Sequence, residues 1–251
     1  MLDNNTLLRM PGNVFGLRVK VFDTPSLDGQ ISGTPHVHLV CRELYFVLNG
    51  YGFVEIIDQN GFAKLELKPN SILIFNPGTI HRLINPDRTL ELFVLEQSGL
   101  PEFGDNIACF NPYWMESDER FTQIMKVENL DQAYQRRNHA VEGFIQIKQA
   151  FQESAEQGRI ALEQFYLLAI DRSQSFHQKW QEVVKDGALS EAEETLDAIN
   201  TISNRKLDNL FASKQLLINA NDYTGLGCCG YLNRYFNREQ YLPDGIVAGV
   251  K

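Results

Sequence analysis

The chain of 251 residues is poor in cysteine, with four (Cys41, Cys109, Cys228 and Cys229) and no C-x-x-C pair. Without that spacing neither a zinc ribbon nor a thioredoxin-like site can be built. Four thiols in a chain of this length fit a reducing cytoplasm better than a disulfide scaffold. Long apolar runs are also missing. The stretch Ile72-Leu-Ile-Phe75 is among the longest, far short of the roughly 20 residues that span a bilayer. Met1-Leu-Asp-Asn-Asn-Thr6 lacks the basic-then-apolar order of a secretory leader. Basic residues are outnumbered, 23 against 32 acidic, for a net charge of −9. Such a surface repels phosphate backbones, so no nucleic acid and no membrane is expected as a partner.

The vicinal thiols lie in Gly225-Leu-Gly-Cys-Cys-Gly230. No Lys-Ser or Lys-Thr follows these glycines, so they do not form a phosphate loop. They read as a glycine-rich loop with two small, partly buried thiols rather than as a strained redox pair.

What is present changes character near residue 104. From Asn13 to Glu96, β-branched and aromatic runs alternate with turns at Asn49-Gly50, Asn60-Gly61, Pro77-Gly78 and Asn85-Pro86-Asp87. The runs Val14–Phe22, Leu44–Leu48, Gly52–Ile57, Ser71–Phe75 and Leu90–Leu95 predict an antiparallel sandwich or barrel. Leu100–Asn106 reads as the connector. Beyond Ser117 the apolar period becomes helical. One stripe carries Val141, Phe144, Ile145, Lys148 and Phe151, and a second carries Leu162, Phe165, Leu168, Ala169 and Phe176. A third carries Leu196, Ile199, Ile202, Leu207, Leu210 and Phe211. All three are expected to be core faces. Asp186-Gly187 is expected to end one helix, and Ser190-Glu-Ala-Glu193 to open the next as a capping box. The tail from Asn219 to Lys251, with Pro243-Asp-Gly245, reads as an irregular wrap. The domains expected are therefore 1–104, a β-barrel, and 105–251, an α-helical extension with an irregular tail.

Histidine is scarce, and its placement is informative. Of five, two form His36-Val37-His38 just before a strand-like run. On extended chain, residues i and i+2 share a face, so both imidazoles can reach one ion. Glu43 follows, with Tyr45 and Val47 continuing its face, and much later comes Pro77-Gly-Thr-Ile-His81. Three imidazoles and a carboxylate suit a divalent first-row metal with coordination positions open to water or substrate. His139 and His177 stand apart and read as ordinary packed or surface histidines.

His36-x-His38-x4-Glu43-x6-Gly50 resembles the first cupin motif, and Gly78-x2-His81-x3-Asn85 resembles the second. The resemblance covers about residues 14 to 98. It implies a small jelly-roll β-barrel with His36, His38, Glu43 and His81 projecting inward as ligands to one divalent transition metal ion, Fe, Mn, Ni or Zn. Gln30 and Asn70 stand where the motifs usually open with glycine, and Asn76 stands in place of the usual proline. These positions shape turns rather than ligation.

Beside the ligands, Tyr45 is expected to line the cavity, and Arg18 and Arg82 to grip a substrate carboxylate. Cys41 is expected to be a small core filler. The resemblance implies a small-molecule metalloenzyme, dioxygenase-, isomerase- or decarboxylase-like, and a homodimer. The alternative is a non-catalytic small-ligand-binding or sensor module whose helices report occupancy. Storage or scaffold proteins of this family ordinarily have two barrels and are secreted, so that reading ranks last.

Overall fold

A computed structural model describes residues 10–213, 215, 217 and 225–235. Its β-strands, in chain order, are β1 (Phe15–Val21), β2 (His36–Val37), β3 (Glu43–Asn49), β4 (Gly52–Asp58), β5 (Gly61–Leu67), β6 (Ile72–Phe75), β7 (Ile80–Ile84), β8 (Glu91–Glu96), β9 (Ile107–Ala108), β10 (Gly225–Leu226) and β11 (Gly230–Arg234). The helices are α1 (Pro112–Met115), α2 (Asp118–Met125), α3 (Leu130–Glu153), α4 (Ala155–Ser173), α5 (His177–Val184), α6 (Ser190–Ser203) and α7 (Asp208–Phe211). Period-two alternation drives the strands. In β1, Leu17, Val19 and Val21 are buried, whereas Arg18 and Lys20 point the other way.

Two antiparallel sheets result. One has six strands in the order β10-β11-β1-β8-β3-β6, and the other has five in the order β5-β4-β7-β2-β9. Their facing sides enclose a core that includes Leu17, Val19, Val54, Leu83, Leu92 and Val94. Each such aliphatic side chain contributes about 1.5–3 kcal/mol by leaving water. This is the jelly-roll-like barrel the sequence implied, followed by a helical region.

The tight turns follow from glycine where left-handed backbone is needed. Gly50 takes φ 82°, and a Cβ there would lie 2.3 Å from the Thr89 carbonyl carbon, so no other residue fits. Asn70 takes φ 71°. Asparagine tolerates that region, which is why it serves where the motif ordinarily has glycine.

Helices α3 and α4 cover the outer face of the five-stranded sheet. Val37, Ile57, Ile80 and Ile107 from the strands pack there with Phe144, Ile147, Leu162 and Phe165. Covered on both sides, β7 buries all five of its residues. The approach is close, because a Cβ on Gly143 of α3 would lie 2.1 Å from the Cys109 carbonyl oxygen. Cys41 packs beneath Leu100, Phe103, Trp180 and Val183. The Trp180 Nε1–H donates to the Phe103 carbonyl at 2.9 Å.

Several expectations change in three dimensions. Residues past 104 enter the sheets: β9 pairs with β2, and β11 pairs with β1 from Leu17↔Arg234 to Val21↔Gly230. Within the tail, residues 225–235 thus form a hairpin on the barrel edge rather than an irregular wrap, because their backbone groups find partners on β1. Pro243-Asp-Gly245 lies outside the described residues. No capping box forms at Ser190. Helical backbone runs from α5 through a π-turn at Lys185–Leu189 into α6, and Ser190 makes no cap hydrogen bond to it. Gly187 does not terminate a helix; a Cβ there would lie 1.9 Å from Asn13 Nδ2, so it is the contact point with the N-terminal segment. The third apolar stripe is not a core face, with Leu196 61% and Phe211 83% exposed. Phe176, from the second stripe, is also exposed. Spacing defines a face, but only packing decides whether another element covers it.

Candidate metal centre

His36 lies on β2, with His38 just beyond it, Glu43 opens β3, and His81 sits on β7. Pairing of β2 with β7 places His36 and His81 directly opposite each other. All four side chains are buried, and one ligand atom from each lies within 4.8 Å of the others. The resemblance's four positions thus converge on one point.

The hydrogen bonds around the rings fix their chemistry. His36 Nδ1 lies 2.9 Å from the Thr34 carbonyl, His38 Nδ1 2.5 Å from the Asp105 carbonyl, and His81 Nδ1 3.0 Å from the Thr79 carbonyl. A carbonyl only accepts, so each Nδ1 carries the proton and donates it. Every Nε2 is then left with a lone pair facing the centre. His36 Nε2 and His81 Nε2 are 3.0 Å apart, and Glu43 Oε2 lies 3.1 Å from His81 Nε2 and 3.5 Å from His38 Nε2. His38 Nε2 and Glu43 Oε2 are buried without a hydrogen-bond partner. Four electron-pair donors gathered at one point could hold a cation between them. The donor set, three imidazoles and a carboxylate, fits a divalent first-row ion.

Without an ion, a proton takes that part. Burial alone would lower the His38 pKa, but the Glu43 carboxylate beside it overrides this and lifts it to about 9. Burial raises Glu43, and His38 outweighs it, holding the carboxyl well below the usual carboxylate range. His36 is pushed down by burial and then by the charges of His81 and His38.

Outer contacts hold the ligands in place. Phe75 stacks on the His81 ring at 4.3 Å between centroids. The Asp105 carboxylate accepts from the backbone N–H groups of Leu39, Val40 and Cys41, at 2.8, 3.1 and 2.8 Å. It ties down the loop that joins His38 to Glu43. Asn85, the last residue of the second motif, donates from Nδ2 to the Val21 and Phe22 carbonyls and accepts from Leu90 N–H. Its role is to stitch three segments at the end of β7.

A cavity of about 240 Å³ adjoins the cluster, and His36, Glu43 and Tyr45 form part of its wall. Tyr45 lies on the same face of β3 as Glu43. Its phenol is pushed well above the ordinary range by burial, then by Glu43 and Cys229. Val47 continues that face into the core.

Arg18 and Arg82 lie elsewhere. Arg18 occupies the face of β1 opposite Leu17 and Val19 and pairs with Glu91. Arg82 follows His81 and so faces outward, beneath the 26–32 loop. Its guanidinium donates to Asp28 at 2.8 and 2.9 Å and to the Ser26 and Ser32 hydroxyls, with Glu55 at 3.5 Å. Burial would raise Asp28, but Arg82 holds it well below the usual carboxylate range. The expectation that either arginine meets a substrate in the barrel is corrected by strand alternation. Of the other histidines, His139 pairs with Glu142, and His177 contacts Ser173 and Trp180.

Cavity residues that sequence reading missed include Glu96, Asn106, Arg136 and Arg234. Glu96 is the register partner of Glu43 on β8. Burial and then Glu43 push its carboxyl well above the ordinary range, favouring the neutral acid. Cys228 and Cys229 also line the cavity, both as free thiols. Cys228 Sγ–H donates to Asn106 Oδ1 at 3.1 Å, consistent with packed rather than reactive thiols. Only the Cys-Cys pair carried any sequence signal, because the others are brought in by long-range pairing.

Residues 27–96 match the family model described as Cupin domain. No curated protein sequence matches the chain. Among solved structures, KdgF from Halomonas sp. is 23% identical, with 36% of this chain and 73% of that one covered and a TM-score of 0.27. WlaRA, a TDP-fucose-3,4-ketoisomerase from Campylobacter jejuni, is 19% identical over 33% of this chain and 57% of its own, with a TM-score of 0.27. The capsular polysaccharide assembling protein CapF from Staphylococcus aureus is 16% identical over 27% of this chain, with a TM-score of 0.25, and only 20% of its length is spanned. No helix among the described residues is long and apolar enough to cross a membrane. Both motif halves sit in one double-sheeted barrel, and the match to the cupin domain model runs through them over residues 27–96.

Proposed function

We propose that the chain is a small-molecule metalloenzyme in which His36, His38, Glu43 and His81 hold one divalent ion, Fe, Mn, Ni or Zn. The observation that carries this reading is the convergence of three imidazoles and a carboxylate, all buried, with one ligand atom of each within 4.8 Å of the others. When bound, the ion supplies Lewis-acid or oxygen-activating chemistry, suited to dioxygenase-, isomerase- or decarboxylase-like reactions. His36 and Glu43 form part of the cavity wall, so a substrate there lies against the ligand set. Leu17, Val19, Leu83 and Val94 supply the apolar part of a wall whose polar part includes Glu96, Asn106 and Arg136. Tyr45, kept protonated by its surroundings, offers a hydrogen bond from Oη to a bound oxygen. A homodimer in the cytoplasm belongs to the same proposal, and sedimentation equilibrium reads the dimer directly.

Metal content of the purified protein, measured by mass spectrometry beside a His36→Ala/His38→Ala variant, tests the centre. A near-stoichiometric ion that disappears in the variant is the expected result. A native protein that stays empty after incubation with each of the four metals overturns the enzyme reading and leaves a ligand-binding module.

A further inference from the structure

Arg136, on α3, brings a buried cation from the helical region to the cavity wall. It is 7% exposed. Its Nη2 donates to the Gly227 carbonyl at 2.7 Å, in the turn between β10 and β11. Its Nε is buried with no acceptor, and no carboxylate pairs with it among the described residues. The other arginine of the wall differs, since Arg234 is matched by Glu102 at 2.8 Å. Arg82, equally buried on the outer face, has Asp28, Glu55 and two hydroxyls. A guanidinium has five N–H donors, and burying it unpaired is costly. One carbonyl would suffice to pin the hairpin, but it leaves the buried Nε without an acceptor and the charge without a carboxylate.

We infer that the cavity takes a small carboxylate-bearing molecule, its carboxylate held by the Arg136 fork and its other end against His36 and Glu43. The planar guanidinium matches a carboxylate in two parallel bonds. The cavity, about 240 Å³, lies at the small end of ligand pockets, which suits a small acid better than a polymer. The placement of the other end rests on the metalloenzyme reading above, whereas the carboxylate end stands without it.

The test is an NMR saturation-transfer titration of the full chain with butyrate and with isosteric, uncharged butyramide, after chelator treatment and again after metal loading. Native protein is expected to bind butyrate at least tenfold more tightly than butyramide in both states. Arg136→Gln should erase that preference without changing metal content, and Arg136→Lys should keep part of it. Equal binding of the two probes, or an unchanged preference in Arg136→Gln, overturns the inference. If Arg136→Gln does not fold, the native comparison and Arg136→Lys decide. A butyrate preference in a protein that takes no metal would sink the metalloenzyme reading and leave this one standing. Stoichiometric metal without any preference would do the reverse.

Discussion

His36 and His81 face each other across the β2–β7 ladder with their Nε2 atoms 3.0 Å apart. Because each Nδ1 donates to a carbonyl at 2.9 or 3.0 Å, neither Nε2 has a proton for the other. The centre therefore relaxes only by taking a cation, metal or proton, and this links stability to pH. His38 has a folded pKa of about 9 against an ordinary 6.5. Its stabilisation is full below pH 6.5 and is lost as pH rises through about 9. Glu43, held low, adds stability above its ordinary 4.5 that is lost in acid. Metal-free protein should thus melt at progressively lower temperature from pH 6.5 towards 9, and metal-loaded protein should not. Calorimetric scans of both forms across that range check it; parallel curves would refute the linkage.

Asp105 answers three backbone N–H groups with one carboxylate. Asp105→Asn replaces one accepting oxygen with a donor and strands at least one of them. We expect a loss of about 2–3 kcal/mol in urea unfolding and about 10–100-fold weaker metal binding, since the loop carrying His38 loosens. Intact affinity in the folded variant would mean that the loop is held by other contacts.

Arg82 serves the fold rather than the cavity. Arg82→Met leaves Asp28 without its cation and Glu55 with only Lys148 at 3.9 Å, on a covered sheet face, at a cost of about 3–5 kcal/mol. Metal content of the folded fraction should match the native protein. Weakened butyrate binding with unchanged stability would return Arg82 to the ligand site.

Gly143→Ala places a methyl 2.1 Å from the Cys109 carbonyl oxygen as the backbone stands. α3 must then move off β9, which we expect to cost about 1–3 kcal/mol. Denaturant midpoints measure it, and an unchanged midpoint would show that the helix–strand contact is loose.

Ile199→Asp tests the uncovered stripe on α6. At 49% exposed, the residue should tolerate a charge within about 0.5 kcal/mol. A larger loss would show that this face is covered in solution.

Strands with one face to the core were legible, because alternation and Asn-Gly or Pro-Gly turns are local signals. The His36, His38, Glu43 and His81 quartet was legible for the same reason: two short spacings each survive without any knowledge of the fold. β5 and β7 were not singled out. β7 lacks alternation because both its faces are covered, and β5 exposes most of its residues. The α6 stripe misled, since helical spacing says which residues share a side and nothing about what lies opposite.

The sequence by itself determined the barrel, the helical region after it and the four donors. These follow from contacts at short range and from the residue types a cation needs. Only the tertiary structure decided that Arg82 turns outward to Asp28 while Arg136 turns inward, that Glu96 stands beside Glu43, and that β11 from the far end of the chain closes on β1. Those outcomes depend on which strands pair and which helix covers which sheet, over separations such as the 91 positions between Arg136 and Gly227. No local pattern encodes a partner that distant; burial and hydrogen-bond satisfaction across the whole fold select it.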